Sequence, residues 1–327
     1  MAPKYDRAKE IYEYSKKNSY DVAALHFALS KETIKRACRE FKRLDSAIDI
    51  NVKDKKSVVT KKAILKSIEE KYSTKELQSI ANGSRLSDDK PETPNISFKG
   101  DTYKFLFATD SHIGSIYFVE EWFNAAVLEA KKQKVDSVLF SGDLTEGMSN
   151  RPGHIYELNK LGYDSQRSYA VEQFKKFDGI PFYACSGNHD LWFVKSSGAL
   201  IVKDICNEIT NGHYLGEDVG NLVINGCKIM MFHGLDSSSY ATSYRVQKIV
   251  ESMSGGEKPN VLLCGHTHKQ IYMFERNIQC FSGGCLQKQS GWMRSKRIAA
   301  HPGFWIIELT INKGNVAKVN PVWYPFY

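Results

Sequence analysis

Five short apolar runs in this 327-residue chain each close on a polar signature, and that repetition constrains the fold more than any other feature. KFLFAT runs into Asp110-Ser111-His112, and VLFS into Gly142-Asp143. YACS runs into Gly187-Asn188-His189-Asp190, KIMMF into His233-Gly234, and VLLC into Gly265-His266-Thr267-His268. Short apolar runs bounded by turn formers read as buried strands. Helical patterns near 118–133, 165–178, 198–211 and 240–252 separate them. Such alternation builds parallel βαβ units. The end of the chain changes texture: IYMF with IQCFSG, and FWIIEL with NVAKV, read as antiparallel pairs. The expectation for residues 101–327 is a two-sheet α/β sandwich.

The carboxyl ends of strands line the ligand crevice of an open α/β sheet. Five strand ends would therefore deliver Asp110, His112, Asp143, Asn188, His189, Asp190, His233, His266 and His268 to one edge. Oxygen and imidazole donors suit hard or borderline divalent metals. Thiolates would signal structural zinc, and none of the seven cysteines belongs to the set. The donors are too many for one ion. If Asp143 bridges, they serve two ions with four protein ligands each, an arrangement that can clamp a phosphoryl group and generate a hydroxide. Singly, each residue has a plainer role. An Asp after a strand caps a helix or forms a turn, Asn188 suits a turn, and a lone His233 suits a core. The joint pattern carries the chemistry.

In order and spelling, the five signatures D-x-H, G-D, G-N-H-D, H-G and G-H-x-H resemble those of the calcineurin-like metallophosphoesterase family, over about residues 103–310. The resemblance implies that Asp110, His112 and His268 hold one metal, that Asn188, His233 and His266 hold the other, and that Asp143 bridges them. It implies two divalent ions, Mn2+ before Fe or Zn2+. It also makes His189 the group that meets the phosphate and protonates the leaving oxygen, with Asp190 accepting its other ring proton. The protein Ser/Thr phosphatase branch carries an Arg in its second motif, whereas GDLTEGM here has none. That leaves the nuclease, phosphodiesterase and small-molecule phosphatase branches.

The net charge of +8 is uneven. Residues 1–80 hold 19 Lys+Arg against 12 Asp+Glu, and the remainder 26 against 25. A basic module beside a neutral one suggests a polyanion-binding appendage. Residues 1–45 read as one small basic domain, with three helices over residues 4–45. Ala8, Ile11, Tyr12 and Ser15 give a stripe in the first, Tyr20–Phe27 form a short second, and Ser30 caps a third with Ile34, Ala37, Phe41 and Leu44 on one face. Lys31, Thr33, Lys35, Arg36 and Arg39 lie opposite. The segment resembles a helix-turn-helix, whose second helix enters the DNA major groove. A plain basic helical appendage is the alternative. Residues 46–100 read as a connector, with a helix over Val59–Ala81, a capping box at Ser73–Glu76 and a linker over 82–97.

No apolar run reaches the roughly 20 residues of a membrane span. The charged N-terminus lacks a signal-peptide core, and scattered, odd-numbered cysteines fit a reducing cytoplasm. Two further segments are candidate substrate walls: residues 147–165, with His154, and KQSGWMRSKR, residues 288–297, with Trp292 for stacking and Arg294, Lys296 or Arg297 for phosphate, a solvated basic loop being the alternative for the latter. The leading expectation is a two-metal phosphoesterase acting on nucleic acid and targeted by the N-terminal module. The alternatives are a small-molecule or nucleotide phosphatase or phosphodiesterase, or a DNA-binding regulator that uses the fold as a scaffold.

Overall fold

A computed structural model describes residues 2–53, 93–235 and 241–327. The chain forms two compact units, within Met1–Ser79 and Ile80–Tyr327. The expected helix over Val59–Ala81, its capping box at Ser73 and residues 82–92 of the linker lie outside the described residues.

The first unit comprises α1 (Ala2–Lys17), α2 (Tyr20–Phe27) and α3 (Lys31–Lys53). Ile11, Ala23, Ile34 and Cys38 make its core, with Tyr12, Tyr14, Phe27 and Ala37 packed around them. Ala23 is fully buried, and its small side chain lets α2 approach its neighbours closely. Ser19 caps α2 through the Val22 amide at 3.3 Å, and Ser30 caps α3 through the Thr33 amide at 3.2 Å. These bonds satisfy amides that a helix start leaves without partners. Between them Ala28 ends α2 in the left-handed region, with φ 52°. Cys38, not singled out in the sequence, joins Ile34 and Phe41 on the buried face at helical spacing.

The second unit is an α/β sandwich. In chain order its elements begin with β1 (Asn95–Ile96), β2 (Thr102–Ala108), α4 (Glu120–Gln133), β3 (Ser137–Ser141), α5 (Tyr163–Phe174) and β4 (Phe182–Ser186). Next come α6 (Leu191–Ser197), α7 (Ile201–Glu208), β5 (Gly212–Glu217), β6 (Val219–Ile224), β7 (Cys227–Phe232) and α8 (Tyr244–Ser252). The unit closes with β8 (Val261–Cys264), β9 (Gln270–Glu275), β10 (Ile278–Gly283), α9 (Gly291–Ser295), β11 (Gly303–Asn312) and β12 (Asn315–Pro325). One sheet has the order β1-β6-β7-β8-β10-β9 and the other β12-β11-β2-β3-β4-β5. Strands β2 to β5 pair in parallel, as do β7, β8 and β10, while β9–β10 and β11–β12 are antiparallel. Asn95–Ile96, read in the sequence as linker, pairs instead with β6.

The apolar runs are continuous because both faces of the central strands are covered. Along β2, Phe105 and Phe107 point between the sheets to meet Leu139, Met231, Leu263 and Phe281. Leu106 and Ala108 point outward to Phe123, Ala170, Phe174 and Ile205 on the flanking helices. Val246, Ile249 and Val250 of α8 cover the far face of β8 and β10. The layers thus fix the carboxyl ends of β2, β3 and β4 on one sheet, and of β7 and β8 on the other. No helix among the described residues is long and apolar enough to cross a membrane.

Phe174 touches the rings of Phe123, Phe140 and Phe182 at centroid distances of 5.2, 5.2 and 4.9 Å. Phe174→Ala is expected to cost about 3–5 kcal/mol in urea denaturation of the sandwich. A loss below about 1 kcal/mol would show that this ring cluster does not anchor α5.

Candidate metal centre

Every predicted ligand leaves its strand within four residues of the end. The turns continue the parallel ladder: the amides of Asp110 and His112 donate to the carbonyls of Gly142 and Asp143, both at 3.1 Å. Asp110, His112, Asp143, His266 and His268 all have φ between +50° and +78°. Non-glycine residues seldom adopt this left-handed region, although Asp and His are enriched among those that do. It folds each side chain back over the sheet edge.

The loops meet with no room for a methyl group. A Cβ on Gly187 would lie 2.3 Å from Asp143 Oδ1, and one on Gly265 would lie 2.3 Å from Thr109 Oγ1. Asp190 completes this joint. Its Oδ1 accepts from the amide and hydroxyl of Thr145, at 2.9 and 2.8 Å, and its Oδ2 from the amides of Gly187 and Leu144, at 2.9 and 3.2 Å. This overturns the expected contact with the His189 ring, because both carboxylate oxygens are engaged. The His189 Nδ1 proton goes to the Glu146 carbonyl, at 2.9 Å.

The donor atoms converge in two sets. In the first, His112 Nε2 lies 3.1 Å from His268 Nε2, 3.8 Å from Asp110 Oδ1 and 3.7 Å from Asp143 Oδ2. His268 Nε2 lies 3.2 Å from Asp110 Oδ1. In the second, His233 Nε2 lies 3.1 Å from both Asp143 Oδ2 and Asn188 Oδ1, and His266 Nδ1 lies 2.7 Å from Asn188 Oδ1. Asp143 Oδ2 belongs to both.

Two neighbours fix the ring tautomers. His112 Nδ1 donates to Glu146 Oε2 at 2.9 Å, and His233 Nδ1 donates to the Ser141 carbonyl at 2.7 Å. Each Nε2 is therefore the ring atom that faces the donor set, and an ion bound there would replace its proton. Burial alone would raise the carboxyls of Asp110, Asp143 and Glu146. The imidazoles beside them, led by His268, His233 and His189 respectively, instead hold all three below the ordinary carboxylate range. For His233, burial opposes protonation but the Asp143 carboxylate wins, pushing it up to about 9. Burial and then His233 pull His266 down to about 4. Buried ionised carboxylates surrounded by imidazoles form a site that demands positive charge.

The residues fit two divalent ions. Bonds of about 2.0–2.2 Å place the donors around an ion about 3–3.6 Å apart. The separations of 2.7–3.8 Å in the two sets lie about that range.

The model of the calcineurin-like phosphoesterases matches residues 103–270, just over half of the chain. The chain belongs to that family. Among curated relatives of this calcineurin-like phosphoesterase, the DNA polymerase II small subunit of Archaeoglobus fulgidus is 23% identical over 282 aligned positions, covering 68% of this chain and 56% of that protein. The subunit of the same name from Halobacterium salinarum is 21% identical over 252 positions, covering 64% and 48%. The chain spans about half the length of these relatives. A solved archaeal phosphodiesterase aligns with 68% of this chain and 99% of its own at 15% identity, with a TM-score of 0.41.

Above the donors of this phosphoesterase opens a cleft of about 1130 Å3, lined by His112, Asp143, Asn188, His189, His266 and His268 at its floor. Trp192 packs on His189, with ring centroids 4.0 Å apart. Of the expected substrate wall, Trp292 lines the cleft, together with Lys296 and Arg297, whereas Arg294 does not. His154, expected on the substrate wall, does not line the cleft. It is buried, its Nδ1 accepts from the Ser149 amide at 3.2 Å, and its Nε2 donates to Glu146 Oε1 at 2.9 Å. It supports the centre from behind.

In the N-terminal unit, Lys31 pairs with Asp21 at 2.7 Å, and the Thr33 hydroxyl lies 2.8 Å from that of Ser30. Arg36 and Arg39 are exposed, and Lys35 is half-buried.

Three functional residues escaped the sequence reading: Glu146, Trp192 and Arg245. The buried Arg245 guanidinium donates to the Gly265 carbonyl, at 2.8 Å, and to the His233 carbonyl, tying two ligand loops to α8. Glu146 was the most readable, three residues after Asp143 in GDLTEG. Glu146→Gln is expected to weaken metal binding at the Asp110/His112/His268 site about 10–100-fold, measured by equilibrium dialysis with Mn2+. Unchanged affinity would remove Glu146 from the support of His112.

Proposed function

We propose that this chain is a two-metal phosphodiesterase acting on nucleic acid, with the N-terminal helical unit as a DNA tether. The observation that carries the reading is the complete donor set, sharing Asp143 Oδ2 and opening into a wide cleft. A cleft of about 1130 Å3 has room for more than two ions and a phosphoryl group. Exposed Lys296 and Arg297 on its walls suit a polyanion. Relatives named as DNA polymerase subunits add a DNA context.

Asp110, His112, Asp143 and His268 would hold one ion, and Asp143, Asn188, His233 and His266 the other. Divalent ions there supply Lewis-acid polarisation of a phosphoryl oxygen and a water acidified toward neutrality. The protein does the rest. The amide of His189 donates to Asp143 Oδ1 at 2.8 Å, which joins the acid's backbone to the shared carboxylate. With Nδ1 committed to the Glu146 carbonyl and the ring held on Trp192, protonated His189 carries its transferable proton at Nε2. As a water oxygen bonds to phosphorus, releasing its own proton to solvent, and the bond from phosphorus to the leaving oxygen breaks, the His189 proton would pass to that leaving oxygen.

A second reading is a non-hydrolytic subunit of a DNA-processing assembly, favoured by the names of the relatives alone. Retention of every ligand weighs against it.

Mn2+-dependent hydrolysis of single- and double-stranded DNA and of bis-p-nitrophenyl phosphate decides between them. Asp143→Ala is expected to abolish turnover. His189→Ala should lower kcat roughly 10²–10⁴-fold while bound metal stays constant. No metal-dependent hydrolysis of any of these substrates would sink the enzymatic reading.

The tether has a separate test. Joint replacement of Lys35, Arg36 and Arg39 by Ala should weaken DNA binding irrespective of sequence and flatten its log–log salt dependence by roughly 2–3. An unchanged slope would remove these residues from the interface.

A further inference from the structure

The cleft holds an indole that the mechanism does not use. Among the described residues, four of the five tryptophans stack or pack on another ring: Trp122 on Phe326, Trp192 on His189, Trp305 on Phe281 and Trp323 on Trp305. No ring among the described residues packs on Trp292, which is 47% exposed and lines the cleft above the metal centre. Leaving so large an apolar surface in water is costly unless something covers it.

The segment that carries Trp292 is held firmly. Ser290 caps α9 through the Met293 amide at 3.2 Å, and the Met293 side chain is buried. The Gly291 amide donates to the Tyr117 hydroxyl at 3.1 Å, and the Gln289 amide group donates to the Ile298 carbonyl at 2.7 Å. The Ile298 amide returns to the Met293 carbonyl at 2.9 Å. Trp292 is therefore presented on a short, internally bonded turn. Exposed Lys296 and Arg297 of the same turn line the cleft beside it.

We infer that Trp292 is a specificity-determining platform that stacks one unpaired nucleobase of the substrate, with Lys296 and Arg297 meeting a flanking phosphate. The inference rests on the phosphodiesterase reading above and narrows its substrate to single-stranded or flexible nucleotide diesters. An aromatic face accepts any base but needs that base free of its duplex neighbours. A planar ring beside two cations matches the alternation of base and phosphate along a single strand.

Two chromogenic diesters with one leaving group test it: the p-nitrophenyl ester of thymidine 5′-phosphate and p-nitrophenyl methyl phosphate. The full chain should prefer the thymidine diester in kcat/KM by roughly tenfold, chiefly through KM. Trp292→Ala should erase that preference and Trp292→Phe should keep most of it. A wild type without preference, or a Trp292→Ala variant that keeps it, overturns the inference. Calorimetric titration gives a reading without turnover. Thymidine 5′-monophosphate should bind more tightly than deoxyribose 5-phosphate, with the difference lost in Trp292→Ala, and equal affinities in the wild type overturn the platform. Absence of hydrolysis of either diester overturns the phosphodiesterase reading alone, and the titration then decides the platform.

Discussion

Asp143 is the residue on which the centre depends. Its Oδ1 accepts the amide of His189, and its Oδ2 faces His233 at 3.1 Å and His112 at 3.7 Å. One buried carboxylate thus holds the backbone of His189 and joins both donor sets. Its place is possible only because Gly187 passes over it without a side chain and because its own backbone takes φ 50°. Asp190, four-fold hydrogen-bonded beneath it, keeps the two loops together, and burial with the nearby Asp143 charge pushes its own carboxyl up to about 6.

The cost of this arrangement is concentrated. Five of the candidate ligands occupy the left-handed region, at about 1–3 kcal/mol each in general. That sum is comparable with the whole stability of an ordinary domain, about 5–15 kcal/mol. Such strain persists only where the surroundings determine the backbone completely. Here the surroundings are strands buried on both faces, loop amides bonded to neighbouring loops, and the buried guanidinium of Arg245.

What was legible in the sequence followed from this economy. The ligands stand where apolar runs stop, so Asp110, Asp143, Asn188, His233 and the two histidines of GHTH marked both the strand ends and the chemistry. The sandwich and its parallel core were legible for the same reason. Supporting residues had no such marker. Arg245 sits on a surface helix, where an arginine reads as solvent-facing, and only its burial reveals its part. His154 has the residue type of a substrate contact, but its role depends on a bond to Glu146 across eight residues of loop. Strand β5 escaped because GHYLGE carries glycine twice and lies at the edge of its sheet.

The donors come from both sheets: Asp110, Asp143 and Asn188 follow strands of one, and His233, His266 and His268 follow strands of the other. The centre is therefore a seam rather than a pocket cut into one layer. The separation between Asn188 and His266, 2.7 Å, measures how the two layers are aligned. Sliding one sheet over the other would change that distance, because its two residues follow strands of different sheets. Ligand geometry in this protein doubles as a vernier of the sandwich itself.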